Sequence, residues 1–441
     1  MRKLILAAAV AAALASCSSD SRVAPSVTTQ PTAQPTTQAA AQVVRTHASV
    51  LRSIEPDADF ADLEAFGRAV GDRPIVILGE STHGDGDIFK LKARLVRYLH
   101  EAKGFDVLLM ESGLFDTARM RERHAAEGKS LSALAPGRMF FMYSKTDDGQ
   151  RALKYVDASE SGAKPMQFMG FDISMGGDAS SKELMPMLAA FLKARSSEIP
   201  LSAGWDTYQS VGGQIAALRG TPRPDDAKLA AFRRVSASLD AELCAAQSDD
   251  FQFTRSAGFW CRITRSLAAG SDRFWGTVDL RDRTAGDNVK WLLDHHFAGK
   301  KVVLWMHSFH GINGQLFPPS GPTWVSMGTR IVEHAGADKV FMAHFTLGEG
   351  PFDNYLTTTP PSVPALAPGM LEYHLAGLNA PSFIAWPDDA AARSTLHNLS
   401  VFEPDIRVIS PNHFGAGYQG VFFIPKTRPV LPDADKYPLI P

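Results

Sequence analysis

Residues 74–84 read Pro74-Ile75-Val76-Ile77-Leu78-Gly79-Glu80-Ser81-Thr82-His83-Gly84, and this stretch decides the fold class. A short unbroken apolar run of this kind is a strand buried on both faces. It leads straight into a carboxylate and then an imidazole. The next segment, 88–102, has Phe89, Leu91, Leu95, Leu99 and Ala102 at apolar positions, with Lys90, Lys92, Arg94 and Arg97 between them. That spacing is an amphipathic helix, and Gly104 stops it. A second apolar run, 105–110, ends at Glu111. Strand, helix, strand is the unit of a parallel sheet with a right-handed crossover.

The unit recurs. Residues 166–171 are apolar and end at Asp172, 301–306 end at His307, and 340–343 end at His344. Runs at 406–409 and 420–424 are further strands. The carboxyl ends of parallel strands share one edge, and ligands bind there. Glu80, Glu111, Asp172, His307 and His344 are therefore expected on a common rim. The expected fold is α/β, a three-layer α/β/α arrangement with a mainly parallel sheet. Between 175 and 298 the texture turns helical, with helices expected at 184–195, 205–219, 226–246 and 285–296. This reads as a helical insertion or lid over the rim, splitting the α/β core into 46–174 and 299–441. Proline-rich stretches at 318–322 and 358–368 are loops.

Composition narrows the function. The 441 residues carry 45 basic and 47 acidic side chains, a net charge of -2, so there is no positive field for a nucleic-acid partner. Apolar residues at 45% supply a real core. The 3 cysteines exclude a disulfide-rich scaffold and a cysteine-ligated metal cluster. A monomer is the default expectation.

Arg2 and Lys3 precede an apolar run at 4–14, too short for a comfortable membrane span and shaped like an export signal. Leu14-Ala15-Ser16-Cys17 resembles the lipobox of bacterial lipoproteins. The resemblance implies a signal peptide at 1–16, cleavage before Cys17 and a lipid anchor on that cysteine. Ser18 after it favours the outer membrane, with the body facing the periplasm. Residues 17–45, rich in Ser, Thr, Pro, Gln and Ala near their start, are expected to be a disordered tether. In that oxidising compartment Cys244 and Cys261 could pair; spacing alone does not say whether their Cβ atoms meet.

Gly79-Glu80-Ser81-Thr82-His83-Gly84 resembles the signature of the erythromycin esterase family. The resemblance continues through Phe89, Leu91-Lys92-Ala93-Arg94-Leu95, Arg97-Tyr98-Leu99, Gly104-Phe105 and Met110-Glu111-Ser112-Gly113. It resumes at Arg281-Asp282-Arg283 with Asn288 and Trp291-Leu292, at Trp305-Met306-His307-Ser308-Phe309-His310, and at 419–425. It implies hydrolysis of an ester or lactone by activated water, without a covalent enzyme intermediate. It implies His83 as general base, with Glu80, Glu111, Arg94, His307 and His310 around it. A macrolactone of the erythromycin type is the substrate it suggests. Ser308 stands where the family usually has asparagine, and Gln419 near a position that is often aspartate.

The residues support the same chemistry independently. Ester hydrolysis needs a base, a nucleophile and oxyanion stabilisation. An imidazole, with an ordinary pKa of about 6.5, takes a proton from water at neutral pH. A carboxylate at Glu80 or Glu111 would orient the ring. His307 and His310 would hold the carbonyl or protonate the leaving oxygen. Arg94 would pair with Glu80 or Glu111, and Arg281 would do likewise from the helical segment. Arg281, Asp172, His344 and Asn288 are candidate substrate contacts. The blander reading of His83 is a helix cap. No cofactor is expected. A zinc set of His83, His307 and His310 with Glu80 or Glu111 is the alternative chemistry. A non-catalytic envelope binding protein is the alternative class. No Gly-x-Ser-x-Gly elbow, phosphate-binding loop or His-Glu-x-x-His motif occurs.

Overall fold

The computed structural model describes residues 37–430, apart from 174, 247–252, 278–279, 315–324, 355–356, 358–359 and 403–416. Cys17, its leader and the strand expected at 406–409 lie outside the described residues. Eight strands among the described residues form one sheet: β1 (Ala48–Val50), β2 (Ile75–Glu80), β3 (Val107–Gly113), β4 (Gln167–Asp172), β5 (Val302–His307), β6 (Val340–Glu349), β7 (Ser382–Ala385) and β8 (Gly420–Lys426). Their order is β1-β7-β8-β6-β2-β5-β3-β4. The run from β8 to β4 is parallel throughout, and β7 is antiparallel to both of its neighbours. β2 lies at the centre between β5 and β6, so the Glu80-His83 segment leaves the middle of the rim.

Side chains alternate across the strands and build two cores, one per face. Val76, Leu78, Leu108, Met110, Val303 and Trp305 pack with Phe66, Leu91, Leu95, Leu153 and Val156 from helices Glu64–Val70, Gly86–Lys103 and Asp147–Ser159. Ile75, Ile77, Val107, Leu109, Val302 and Leu304 pack with Phe115, Val289 and Ile331 from helices Leu114–Glu127, Arg281–Trp291 and Met327–Ala335. The result is a mixed, helix-rich α/β/α fold with a mostly parallel sheet.

Several details differ from the sequence reading. The 178–296 segment is helical, but Leu188, Tyr208, Phe232 and Trp260 merge with the second sheet face into one core. Its apolar stripes are buried against that layer, while its Arg281 reaches Glu111 and Asp172 at the rim. Helix Ala257–Trp275 falls where the sequence reading names no helix; its Phe259, Trp260, Ile263 and Leu267 are buried in the core. The tether expected to reach residue 45 gives way earlier to helix Thr37–His47, whose Ala40 and Val44 are buried in the core. Cys244 and Cys261 form a disulfide, with Cα atoms 5.1 Å apart, joining helix Asp226–Ala245 to Ala257–Trp275. Among the described residues, no helix is long and apolar enough to cross a membrane.

Candidate active site

Glu80 closes β2 opposite His307 on β5 and Phe345 on β6. The chain then turns through Ser81-Thr82-His83-Gly84 before the next helix. Gly84 is required here: a Cβ would lie 1.6 Å from the Asp353 carbonyl oxygen. The helix cap is Asp85, whose Oδ1 accepts from the Ile88 N–H at 2.8 Å. His83 is therefore released from capping and turned back toward Glu80.

His83 Nδ1 lies 3.1 Å from Glu80 Oε1, and the Tyr143 hydroxyl donates to the same oxygen at 2.6 Å. Tyr143 Oη is also 3.2 Å from His83 Nδ1. Lys92 Nζ bonds Glu80 Oε2 from the next helix and sits 4.1 Å from the Trp305 ring centroid. Burial would raise the Glu80 carboxyl, but the Lys92 charge and His83 outweigh it and hold the group down at about 2. Burial lowers Lys92 to about 8 against the pull of Glu80. At neutral pH the pair is ionised, and a carboxylate this weakly basic orients His83 rather than taking its proton. With Nδ1–H donated to Glu80, the basic lone pair of His83 is on Nε2.

A second network stands beside the first. The β3–β4 register shifts between Met110 and Gly113, and this irregularity turns Glu111 into the rim. Glu111 Oε2 accepts the His307 backbone N–H at 2.7 Å, and Oε1 accepts Arg281 Nη2 at 2.6 Å. Arg281 also grips Asp172, with Nη2 2.6 Å from Oδ2 and Nε 3.2 Å from both oxygens. Burial would raise Glu111, but His310 and Arg281 lower it on balance. Burial likewise opposes the Arg281 charge, and Asp172 and Glu111 fix it more firmly than usual. Arg281 Nη1 lies 2.9 Å from His310 Nε2. On its other side, His310 Nδ1 is 2.7 Å from Asp282 Oδ1, an ion-pair distance without hydrogen-bond alignment.

His307 joins the two networks. Its Nδ1 accepts the Phe309 N–H at 3.1 Å, which leaves the proton of the neutral ring on Nε2. The His83 and His307 ring centroids are 4.9 Å apart. The rim thus offers one imidazole with a basic nitrogen and one with an N–H donor. His83, Arg281 and His310 retain 12%, 15% and 17% side-chain exposure, whereas Glu80 retains 0%. Water can reach the His83 and His310 rings and the Arg281 guanidinium, while His307 and the carboxylate behind His83 are buried.

Not every expected residue arrives. Arg94 points away from Glu80 and Glu111: its Nη1 lies 3.2 Å from Asp62 Oδ2, and the guanidinium also bonds the Ser53 and Asp59 carbonyls. The cation on Glu80 is Lys92 instead. Asn288 is structural: fully buried, it donates to the Phe171 carbonyl at 2.9 Å and accepts from Arg262 Nε at 2.8 Å. His344 is fully buried and stacked on Tyr418, with ring centroids 4.8 Å apart; burial pushes it down to about 3. Gln419 Oε1 accepts the Met342 N–H at 2.7 Å, a β6 contact rather than a rim group. Sequence reading missed Lys92 and Asp282 as partners and Tyr143 altogether. The zinc alternative fits poorly, because Glu80, Glu111 and Asp172 already neutralise Lys92 and Arg281. Among the described residues, the group with closely converging ligand atoms is Asp240 with the disulfide pair Cys244 and Cys261.

The chain is similar to several known proteins. It is 23% identical over 290 residues to the YbfO protein of Bacillus subtilis (strain 168), covering 60% of this chain and 62% of that protein. The match therefore spans about three fifths of the relative's length. Among solved structures, a Bacillus cereus protein superposes with a TM-score of 0.69 at 19% identity, covering 90% of this chain and 99% of that one. A protein described as a succinoglycan biosynthesis protein gives 0.71 at 18% identity, covering 90% and 99%. A mutant of the erythromycin esterase EreC, in its open conformation, gives 0.66 at 15% identity, covering 86% and 97%. These superpositions carry the fold. The model of the erythromycin esterase family matches residues 100–423, and the chain belongs to that family.

Proposed function

We propose that this member of the erythromycin esterase family hydrolyses a small-molecule ester or lactone at the β2–β5 rim, using water activated by His83. The observation that carries the reading is the contact of His83 Nδ1 with Glu80 Oε1 at 3.1 Å, backed by the buried Lys92. Glu80 fixes the ring and its tautomer, so Nε2 takes a proton from water as the water oxygen attacks the carbonyl carbon. Charge then develops on the carbonyl oxygen, and His307 Nε2–H is the proposed donor to it. When the tetrahedral intermediate collapses, the C–O bond to the alcohol breaks. The proton held by His83 passes to the leaving oxygen, giving a carboxylic acid and an alcohol. Arg281, fixed by Glu111 and Asp172, supplies positive potential near the same oxygen.

The reading is tested by incubating the protein with a panel of simple esters, lactones and macrolactones and weighing the products. A gain of one water on at least one member supports it. No product from any member, together with saturable binding of one of them, would replace it with a binding role. The Leu14-Ala15-Ser16-Cys17 sequence supports placing the enzyme at a bacterial envelope through a lipid on Cys17. Incorporation of a labelled fatty acid, abolished by Cys17→Ala, tests that part.

A further inference from the structure

We propose that Tyr143 is a positioning residue that limits how strongly Glu80 pulls on the His83 proton, keeping the His83 Nε2 lone pair available over the working pH range. The inference rests on the hydrolase reading given above and concerns the same site. Its basis is a three-way contact on one atom. Glu80 Oε1 takes the Tyr143 hydroxyl at 2.6 Å and lies 3.1 Å from His83 Nδ1. The two donors share one oxygen, while the other oxygen is held by Lys92. A hydrogen bond donated to a carboxylate withdraws electron density from it. Glu80 is therefore a weaker acceptor for His83 than it would be without the phenol.

The phenol is held for this contact. Helix Phe141–Ser144 carries it, and its ring is fully buried. Phe140, Phe89 and Trp305 surround it, at centroid distances of 5.2, 5.7 and 6.1 Å. Its hydroxyl has both Glu80 Oε1 and His83 Nδ1 within hydrogen-bond reach.

The other charged and titratable groups facing His83 come from every element around it. Glu80 faces it from β2 and His307 from β5, while Glu111 of β3 acts at longer range. Lys92 acts through Glu80 from helix Gly86–Lys103. None of these is altered by replacing the phenol with a phenyl ring. Removal of the hydroxyl returns the full charge density of Oε1 to His83 Nδ1–H. The protonated ring is then favoured, and Nε2 is occupied by a proton up to a higher pH.

The experiment is a titration of the ring itself. Native protein, Tyr143→Phe and His83→Ala are labelled with 15N in histidine, and the His83 resonances are those missing from His83→Ala. In Tyr143→Phe the His83 resonances should complete their titration at a higher pH than in native protein. The acidic limb of kcat/KM on a turned-over ester should move with it, while the alkaline plateau stays within a few-fold of native. An unchanged midpoint in a variant with native circular dichroism would overturn the inference, and so would a downward shift. Because the midpoint is read without substrate, it separates this inference from the hydrolase reading. That reading fails on its own terms if His83→Ala keeps full turnover.

Discussion

Lys92→Met tests the electrostatic core of the site. Lys92 and Glu80 are both fully buried, and Lys92 is the formal cation bonded to that carboxylate. Methionine preserves the length and apolar packing of the stem against Trp305 while removing the charge. Loss of one partner from a buried pair leaves an uncompensated charge, and the expected loss of stability is about 3–5 kcal/mol. Glu80 will then rise from its depressed value of about 2, because burial is no longer opposed by the Lys92 charge. The sign follows from that shift. A depressed carboxylate contributes stability above its unfolded value, near 4.5, that is lost as pH falls toward 2. In Lys92→Met this acid-side dependence should flatten. A Glu80 that has taken a proton accepts less well from His83, so turnover should fall by about 10²-fold. The assay is urea unfolding at pH 7 for native protein, Lys92→Met, Glu80→Gln and the double variant, with ester turnover measured alongside. The double variant holds no unpaired charge and should regain most of the lost stability without regaining activity. A single variant within about 0.5 kcal/mol of native would refute the reasoning. So would a double variant as unstable as Lys92→Met.

Further outcomes follow from other parts of the molecule. Arg94→Met should lower stability by about 3–5 kcal/mol through loss of the Asp62 pair, with kcat per folded molecule unchanged; a large drop in kcat would return Arg94 to the site. Glu372 is fully buried, and burial raises its carboxyl from 4.5 to about 7. Native stability should therefore decline as pH rises from about 4.5 to 7, and Glu372→Gln should remove that decline. The variant should gain roughly 3 kcal/mol relative to native between pH 4.5 and 8, measured by urea unfolding; a constant difference across that window would contradict the assignment. Replacing Cys244 and Cys261 by serine opens a loop of sequence separation 17 and should cost about 2–4 kcal/mol, read by the same unfolding assay with and without reductant.

Much of this site was legible because parallel strands put their last residues on one edge. Glu80, Glu111, Asp172 and His307 end or nearly end their strands, and the structure places all four in two adjoining networks. The Glu80-His83 contact was legible from the three-residue spacing across a tight turn. Arg94 was misread for a geometric reason. It stands two residues from Lys92 on one helix, about 200° around the axis, so only one of the two can face Glu80. Both are buried, which breaks the rule that charged positions mark the solvent face. Tyr143 left no signal, since it comes from a four-residue helix with no periodicity to read. β1, at the sheet edge, and its neighbour β7 are short strands of 3 and 4 residues, below the length at which alternation is visible. Asn288 lies in a stretch that resembles the family, yet its side chain ties helix Arg281–Trp291 to β4. A motif match locates a residue without saying whether it faces substrate or scaffold.

The central claim is that His83 activates the water that cleaves the substrate, and His83→Ala measures it most directly. With an ester that the native protein converts to acid and alcohol, the variant should keep native circular dichroism and unfolding behaviour while product formation falls by about 10²–10⁴-fold. Product formed by the folded variant at close to the native rate would contradict the account.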